Sequence, residues 1–488
     1  MRRHLTAVFC AFVVASAASL AAAPVFVNGL RLRGDRVDAT GKPGANEGRL
    51  GFFSDLYYDP NREDWWALSD RGPGGGVMDY ATRVQKVSLH VNPVTGRIAS
   101  FKVEKTVSFS DPFHLLSAPT ADVGSLRALN GLNPFLLNGD ASELGRSFDP
   151  EGFVIDPRTG HFLVADEYGP SVYEFDRKGR LLYVFETPAD LIPKVDGIVN
   201  YVALRDACSA TLLPPNCGLN DGRQDNRGFE GIAITPDGDK LYAVMQDPLV
   251  DEPSPGTNNG RNGRNLRIVV FDNDPDSGSY GETVAQYTYQ LEKQADVLAR
   301  IVAAGGAGSA TDPRQGRNLG LSAIVALNSN EFLVLERDNR TQVPTPPNTA
   351  KQEPNLKRIY KIDLNQNDLT DVSDIESLPE TGAELGAIVP VTKTLFLDLL
   401  DPDYKVSATE TIKDVIAEKI EGLAWGPDLP DGRHLLYIVS DNDLYPGLPT
   451  QIYAFAIDGT ESGIHYKPQQ LKSPMIPSEL VRQILKGK

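Results

Sequence analysis

Cysteine and histidine are both scarce in this chain, and their scarcity removes the commonest catalytic arrangements. Of 488 residues, three are cysteine and six are histidine. Cys10 falls in the N-terminal leader, which leaves Cys208 and Cys217, nine positions apart in a proline-containing loop. Two thiols with no histidine nearby cannot complete a tetrahedral metal site. In an oxidising compartment they are expected to form a disulfide. The remaining histidines (His90, His114, His161, His434 and His465) lie outside the repeated blocks described below. With no Gly-x-Ser-x-Gly elbow either, a Ser-His-Asp hydrolase finds no support.

Long apolar runs are missing after residue 23, so no membrane span is expected. The leader itself has Arg2 and Arg3, an apolar core from Ala7 to Ala15, and Ser19-Leu20-Ala21 as a small-residue cleavage site. Residues 1–23 therefore read as an export signal, and the mature protein as secreted or periplasmic. Basic runs are absent as well. A formal charge of −17 repels nucleic acid and anionic membranes. A monomer acting on small molecules is expected. Helical periodicity is confined to Glu292–Ala304, Thr409–Ile420 and Ser478–Leu485.

What the chain does contain is a repeat. A short apolar strand opens beside an acidic or small polar residue, turns, and returns to a carboxylate or its amide. Clear copies run from Asp149-Pro150-Glu151-Gly152 to Asp166-Glu167, from Phe229-Glu230-Gly231 to Gln246-Asp247, and from Ile420-Glu421-Gly422 to Ser440-Asp441. Looser copies start at Ser54-Asp55 and Leu321-Ser322, ending at Asp70 and at Glu336-Arg337-Asp338. Ser54 to Asp70, Glu151 to Glu167 and Glu230 to Gln246 are each sixteen residues apart. In the second unit the expected strands are Gly152–Asp156, Phe162–Asp166, Val172–Phe175 and Leu181–Phe185, separated by turn signals. Four short antiparallel strands in about forty residues make a propeller blade.

The expected fold is thus all-β: a single β-propeller over residues 24–458, with five four-stranded blades and a few decorating helices. Gly197–Leu204 or Glu384–Val391 could add a sixth blade. The fifth unit supplies only three strands, so Val25–Leu32 is expected to complete it and close the ring. Residues 459–488 read as an extension ending in a short helix. Two calcium-loop look-alikes, Asp363–Asp374 and Asp272–Gly278, read as hairpin turns, because Asp368 and Asp374 stand where an EF-hand needs glycine and glutamate.

The blocks Asp149–Gly152 with Asp166–Pro170, Asn226–Gly231 with Pro236-Asp237-Gly238, Val334–Asp338, and Ile420–Ala424 with Ser440–Asn442 resemble the phytase-like propeller family, labelled "esterase-like activity of phytase". The resemblance runs from about Asn28 to Ile457. It implies a hydrolase. In propeller phytases proper, calcium held at an acidic channel mouth binds substrate phosphates.

The residues point to the same place independently. Inner-strand starts converge on one end of a propeller channel, so Glu151, Glu230 and Glu421 are the catalytic candidates. Asp70, Asp149, Glu167, Glu336 and Asp441 join them as candidate metal ligands. Calcium suits such an oxygen-only set. Arg71, Arg227 and Arg337 are candidates for binding an anionic ester or phosphoester, or for neutralising the acids internally. Two rivals stay open. A lactonase-like enzyme would hold a single metal with help from Asn226 or Asn442. A non-enzymatic binding propeller would keep the acids as purely structural groups.

Overall fold

The computed structural model describes residues 23–469 apart from 42–47, 52, 118–126, 254–259, 304, 306–318, 344–350, 380–385 and 461–462. The export signal and the helix expected at Ser478–Leu485 lie outside the described residues. Those described build five four-stranded antiparallel blades. Blade 1 contains β2 (Asp55–Asp59), β3 (Asp64–Leu68), β4 (Arg83–Val91) and β5 (Ile98–Ser108). Blade 2 contains β6 (Pro150–Ile155), β7 (Phe162–Asp166), β8 (Val172–Phe175) and β9 (Leu181–Val184). Blade 3 has β12 (Phe229–Ile234), β13 (Lys240–Met245), β14 (Asn265–Asp272) and β15 (Thr283–Gln290), and blade 4 has β16 (Leu319–Ala326), β17 (Glu331–Asp338), β18 (Lys357–Asp363) and β19 (Lys393–Asp398). Blade 5 joins β20 (Ile420–Trp425), β21 (His434–Ser440) and β22 (Thr450–Ile457) to the N-terminal β1 (Val25–Leu32), which pairs antiparallel with β22. The ring closes as the sequence implied, and the outer edge of blade 5 is covered.

Neither candidate for a sixth blade forms one. Gly197–Leu204 contributes only to a two-stranded hairpin of β10 (Lys194–Val195) and β11 (Ile198–Val199). The insertion between β18 and β19 lies against β15, where Val391 donates its N–H to the Thr288 carbonyl at 2.8 Å. Three helices are present among the described residues: α1 (Pro134–Leu137), α2 (Gln294–Ala303) and α3 (Ile412–Val415). The helix expected over Thr409–Ile420 shrinks to one turn with a Thr411–Asp414 capping box. Beyond it, Gln451 pulls the chain toward β20 by bonding the Ala417 N–H and the Val415 carbonyl.

Apolar side chains fill five interfaces, one between each pair of neighbouring blades. Trp66, Leu68 and Phe109 meet Phe153, Phe162 and Tyr173 between blades 1 and 2, and equivalent layers follow around the ring. β6 and β12 are buried at every position because both faces touch other blades. Residues 463–469 cross one end of the channel: Tyr466 packs on Trp425 with ring centres 4.4 Å apart, and Gln469 Nε2 donates to the Tyr57 hydroxyl at 2.8 Å and to the Ile155 carbonyl at 3.1 Å. The opposite end is left for chemistry.

Cys208 and Cys217 form the expected disulfide, with their Cα atoms 5.1 Å apart. Converting both to serine removes a loop constraint from the unfolded chain, so stability should fall by about 2–3 kcal/mol in the chain-entropy description. Chemical denaturation of the double variant checks this, and an unchanged midpoint would contradict it.

Candidate functional site

The Glu-Gly pairs owe their position to a defect in strand pairing. In blade 2, Pro150 pairs with Asp166 and Gly152 with Ala165, so Glu151 has no partner across the ladder. The same one-residue bulge leaves out Glu230 between Phe229 and Gly231, Ser322 between Leu321 and Ala323, and Glu421 between Ile420 and Gly422. A bulge re-aims the extra side chain. Here it turns each one toward the channel.

The following glycine serves closure. A Cβ on Gly152 would lie 2.6 Å from the Ile232 nitrogen, one on Gly231 3.0 Å from the Ala323 Cα, and one on Gly422 3.1 Å from the Asp55 Cα. Neighbouring inner strands touch backbone to backbone at these points. Blade 1 places Asp55 at this level, and its Oδ2 accepts the Phe153 N–H from blade 2 at 2.8 Å. Interblade locking by a carboxylate is thus the work of Asp55.

At the open end lies a cavity of about 290 Å³ lined by Glu151, Glu167, Glu230, Glu421, Arg71, Arg227 and Arg337, among others. Asp70, Asp149 and Asp441 are buried beside it. Three groups of acids bring their oxygens within 4.8 Å of one another: Asp70, Asp441 and Asp443; Asp70, Asp149 and Glu151; Glu151, Glu167 and Glu230. Glu336 is the exception among the candidates. It accepts the Tyr289 hydroxyl at 2.9 Å, pairs with Lys393 at 2.5 Å and takes the Glu292 N–H, away from the cavity. Strand register explains the correction. Glu336 pairs with Leu321 just before the bulge, as Asp166, Met245 and Ser440 do in their blades. The next residue is the one that reaches the mouth: Glu167, Gln246, Asp441 and, in blade 4, Arg337. A one-residue slip moves a side chain to the other face.

All three candidate arginines are already engaged with acids. Arg71 pairs with Asp149 at 3.0 Å through its guanidinium and donates its own N–H to the same carboxylate. Arg227 lies 3.4 Å from both Glu167 and Asp247, and Arg337 lies 2.7 Å from Glu421 and 3.7 Å from Glu230. Asp247, Lys419 and Asp443 also line the cavity and were missed, although Asp247 ends the second repeat and Lys419 directly precedes Ile420-Glu421-Gly422. Several acceptors have no hydrogen-bond donor: Glu230 Oε2, Gln246 Oε1, both Asp247 oxygens and Asn226 Oδ1 are all buried. Oxygens left without hydrogen bonds beside the acid groups are the ligand type that a hard divalent cation takes. The histidines are spent elsewhere; His161 pairs with Glu174 at 2.7 Å and His434 with Asp428 at 2.8 Å.

The model of a protein family described as "Phytase-like: Esterase-like activity of phytase" matches residues 48–444. The chain belongs to this phytase-like family. A curated relative, an "Uncharacterized secreted protein" of Arthroderma benhamiae, is 29% identical over 299 residues, covering 56% of this chain and 54% of that protein. The chain thus spans about half the length of the curated relative it matches. Among solved structures, the chain is similar to hydrazine synthase of Kuenenia stuttgartiensis (TM-score 0.30, 12% identity, 82% of this chain and 79% of that one). It is also similar to the N-terminal domain of Nup159 (TM-score 0.29, 12% identity, 90% and 96%). The phytase-like assignment rests on the family match over residues 48–444. No helix among the described residues is long and apolar enough to cross a membrane.

Burial, followed by the neighbouring Glu421, pushes the Glu230 carboxyl up to about 8. Burial and Asp149 push Asp70 up to about 7, while Glu151 and Glu167 are also raised well above the usual range, chiefly by burial. A carboxyl raised in the fold holds its proton where the unfolded chain has lost it, so stability falls as pH rises through that window. Chelator-treated protein should therefore melt at progressively lower temperature between about pH 4.5 and pH 8. A melting temperature that climbs across that range would mean that the arginines keep the acids ionised.

Proposed function

We propose that this phytase-like chain is an exported, divalent-cation-dependent hydrolase of small ester or phosphoester substrates, working at the acidic end of its channel. One observation carries the reading. Glu151 belongs to two of the three acid groups, is 7% exposed, and has no hydrogen-bond or ion-pair partner among the described residues. Burying an uncompensated carboxylate is costly. A bound cation relieves that cost.

Glu151 would hold the ion together with one of the two pairs whose oxygens come within 4.8 Å of it, Glu167 and Glu230 or Asp149 and Asp70; calcium suits a set of oxygens alone. When bound, such an ion supplies Lewis-acid polarisation of a carbonyl or phosphoryl oxygen and a more acidic water. The protein's own residues supply the rest. Arg71, Arg227 and Arg337 present planar donors that orient an anionic group. Glu230 and Glu421 face each other across the Arg337 guanidinium, and the Glu230 carboxyl, pushed up to about 8 by burial, can give its proton to a leaving oxygen. The absence of histidine, and the use of the Ser322 hydroxyl to accept from Arg337 Nε at 2.8 Å, agree with a route that needs no side-chain nucleophile.

A lactonase-like reaction is the second reading. Asn226 lines the cavity with its Oδ1 unsatisfied, whereas Asn442 is consumed in a turn, donating to the Leu448 carbonyl and accepting the Leu444 N–H. Export agrees with the leader of the sequence and with the secreted relative.

Calcium should raise the melting temperature of chelator-stripped protein, corresponding to about 2.7 kcal/mol at a hundredfold excess over its dissociation constant. The double variant Glu151→Gln, Glu230→Gln should fold but lose that response together with hydrolysis of phosphomonoesters. Lactone hydrolysis that needs Asn226, with inert phosphomonoesters, would favour the second reading. A melting curve indifferent to calcium would leave the acids a structural role and favour a binding propeller.

A further inference from the structure

The three acid groups share members. Asp70 belongs to the first and second, Glu151 to the second and third, so together they form a row along the mouth. Each group meets a cation, but the kinds differ: the groups around Glu151 face only guanidinium groups, Arg71 on Asp149, Arg227 on Glu167 and Arg337 near Glu230, and the one lysine lining the cavity sits at the far end. Lys419 Nζ lies 2.6 Å from Asp443 and 3.9 Å from Glu421, at the end occupied by Asp70, Asp441 and Asp443. Its charge also acts on Asp70 and Asp441, holding back the rise that burial imposes on both. A small cavity of about 10 Å³ is walled in part by Lys419, Asp441 and Asp443. That is room for about one water-sized particle. At the other end, Glu151 has no cationic partner.

The geometry points to Lys419 as a built-in cation that fills the Asp70–Asp441–Asp443 end of the row and closes it to metal. An ammonium is a compact point charge with three donors, and so can replace a small cation among carboxylate oxygens. Access does not exclude a free ion, since Asp443 is 43% exposed and lines the open cavity. The lysine occupies the seat instead, and cation binding is confined to the Glu151 end. This inference rests on the proposal that the mouth binds cations, and it adds which part of the mouth does so.

Calcium stoichiometry of the chelator-stripped full chain, measured by isothermal titration calorimetry, tests it. Neutralising the lysine empties the seat, so Lys419→Met and Lys419→Gln should each bind one more calcium than the parent. Lys419→Arg should bind the same number. Cooperative melting establishes that each variant is folded. Asp443→Asn, which suits the left-handed backbone of this residue (φ 50°), gives a second reading independent of the lysine variants. If Lys419 holds the seat, this variant keeps the parental calcium count. A count lower by one would show that metal sits there and would overturn the inference. It is equally overturned if the folded Met and Gln variants gain no ion. A parent that binds no calcium refutes the cation-dependent reading separately. In that case one ion in the neutral variants still supports the role of Lys419, and none refutes it.

Discussion

Five inner strands can close a narrow ring only if their backbones touch, and this contact governs both the fold and the site. The approach is tightest at Gly152, Gly231 and Gly422, where a methyl group would collide with the neighbouring strand. Just before each glycine the strand bulges, and the residue left over has nowhere to go but the channel. Closure and the gathering of acids are therefore one structural event. The Glu-Gly pair is its signature: glycine serves the ring, and glutamate occupies the space that the ring encloses.

Crowding acids in this way creates an electrostatic problem, and the protein solves most of it internally. Each cation is committed to a neighbouring acid: Arg71 to Asp149, Arg227 to Glu167 and Asp247, Arg337 to Glu421 and Glu230, and Lys419 to Asp443. Buried ion pairs recover little more than their desolvation cost, so these contacts are better understood as sorting charge than as strengthening the fold. Stability comes from the five apolar layers between blades. What the sorting leaves over, among the described residues, is Glu151, beside acceptor oxygens of Glu230 and Asp247 that receive no hydrogen bond. In a cavity without histidine or cysteine, that remainder defines the chemistry the site can support.

Blade 2 shows how far local pattern carries. Its strands were legible to within two residues, because alternating apolar residues and Gly/Pro turns operate over neighbouring positions. The disulfide and the closing strand were legible for similar reasons: one follows from two cysteines close together in a loop, the other from a blade one strand short. Glu336 was misplaced because the first acid of Glu336-Arg337-Asp338 was chosen, whereas register gives the mouth position to Arg337. Ser322 and Arg337 are fifteen apart where Glu230 and Gln246 are sixteen, and only register shows which face each residue takes. The one-turn α3 was overestimated because Gln451, distant in sequence, redirects its final residues.

The sequence by itself determined the repeat, the four-stranded plan of a blade and the strand that closes the ring, while leaving five or six blades open. Each of these depends on periodicity and spacing, which the chain carries locally. Tertiary structure alone decided which charges meet. It placed Arg337 where three of the other four repeats carry an acid, brought Lys419 against Asp443, and left Glu151 without a counter-charge among the described residues. Ion pairing depends on distances of a few ångströms between residues from different blades, and no spacing along the chain encodes them.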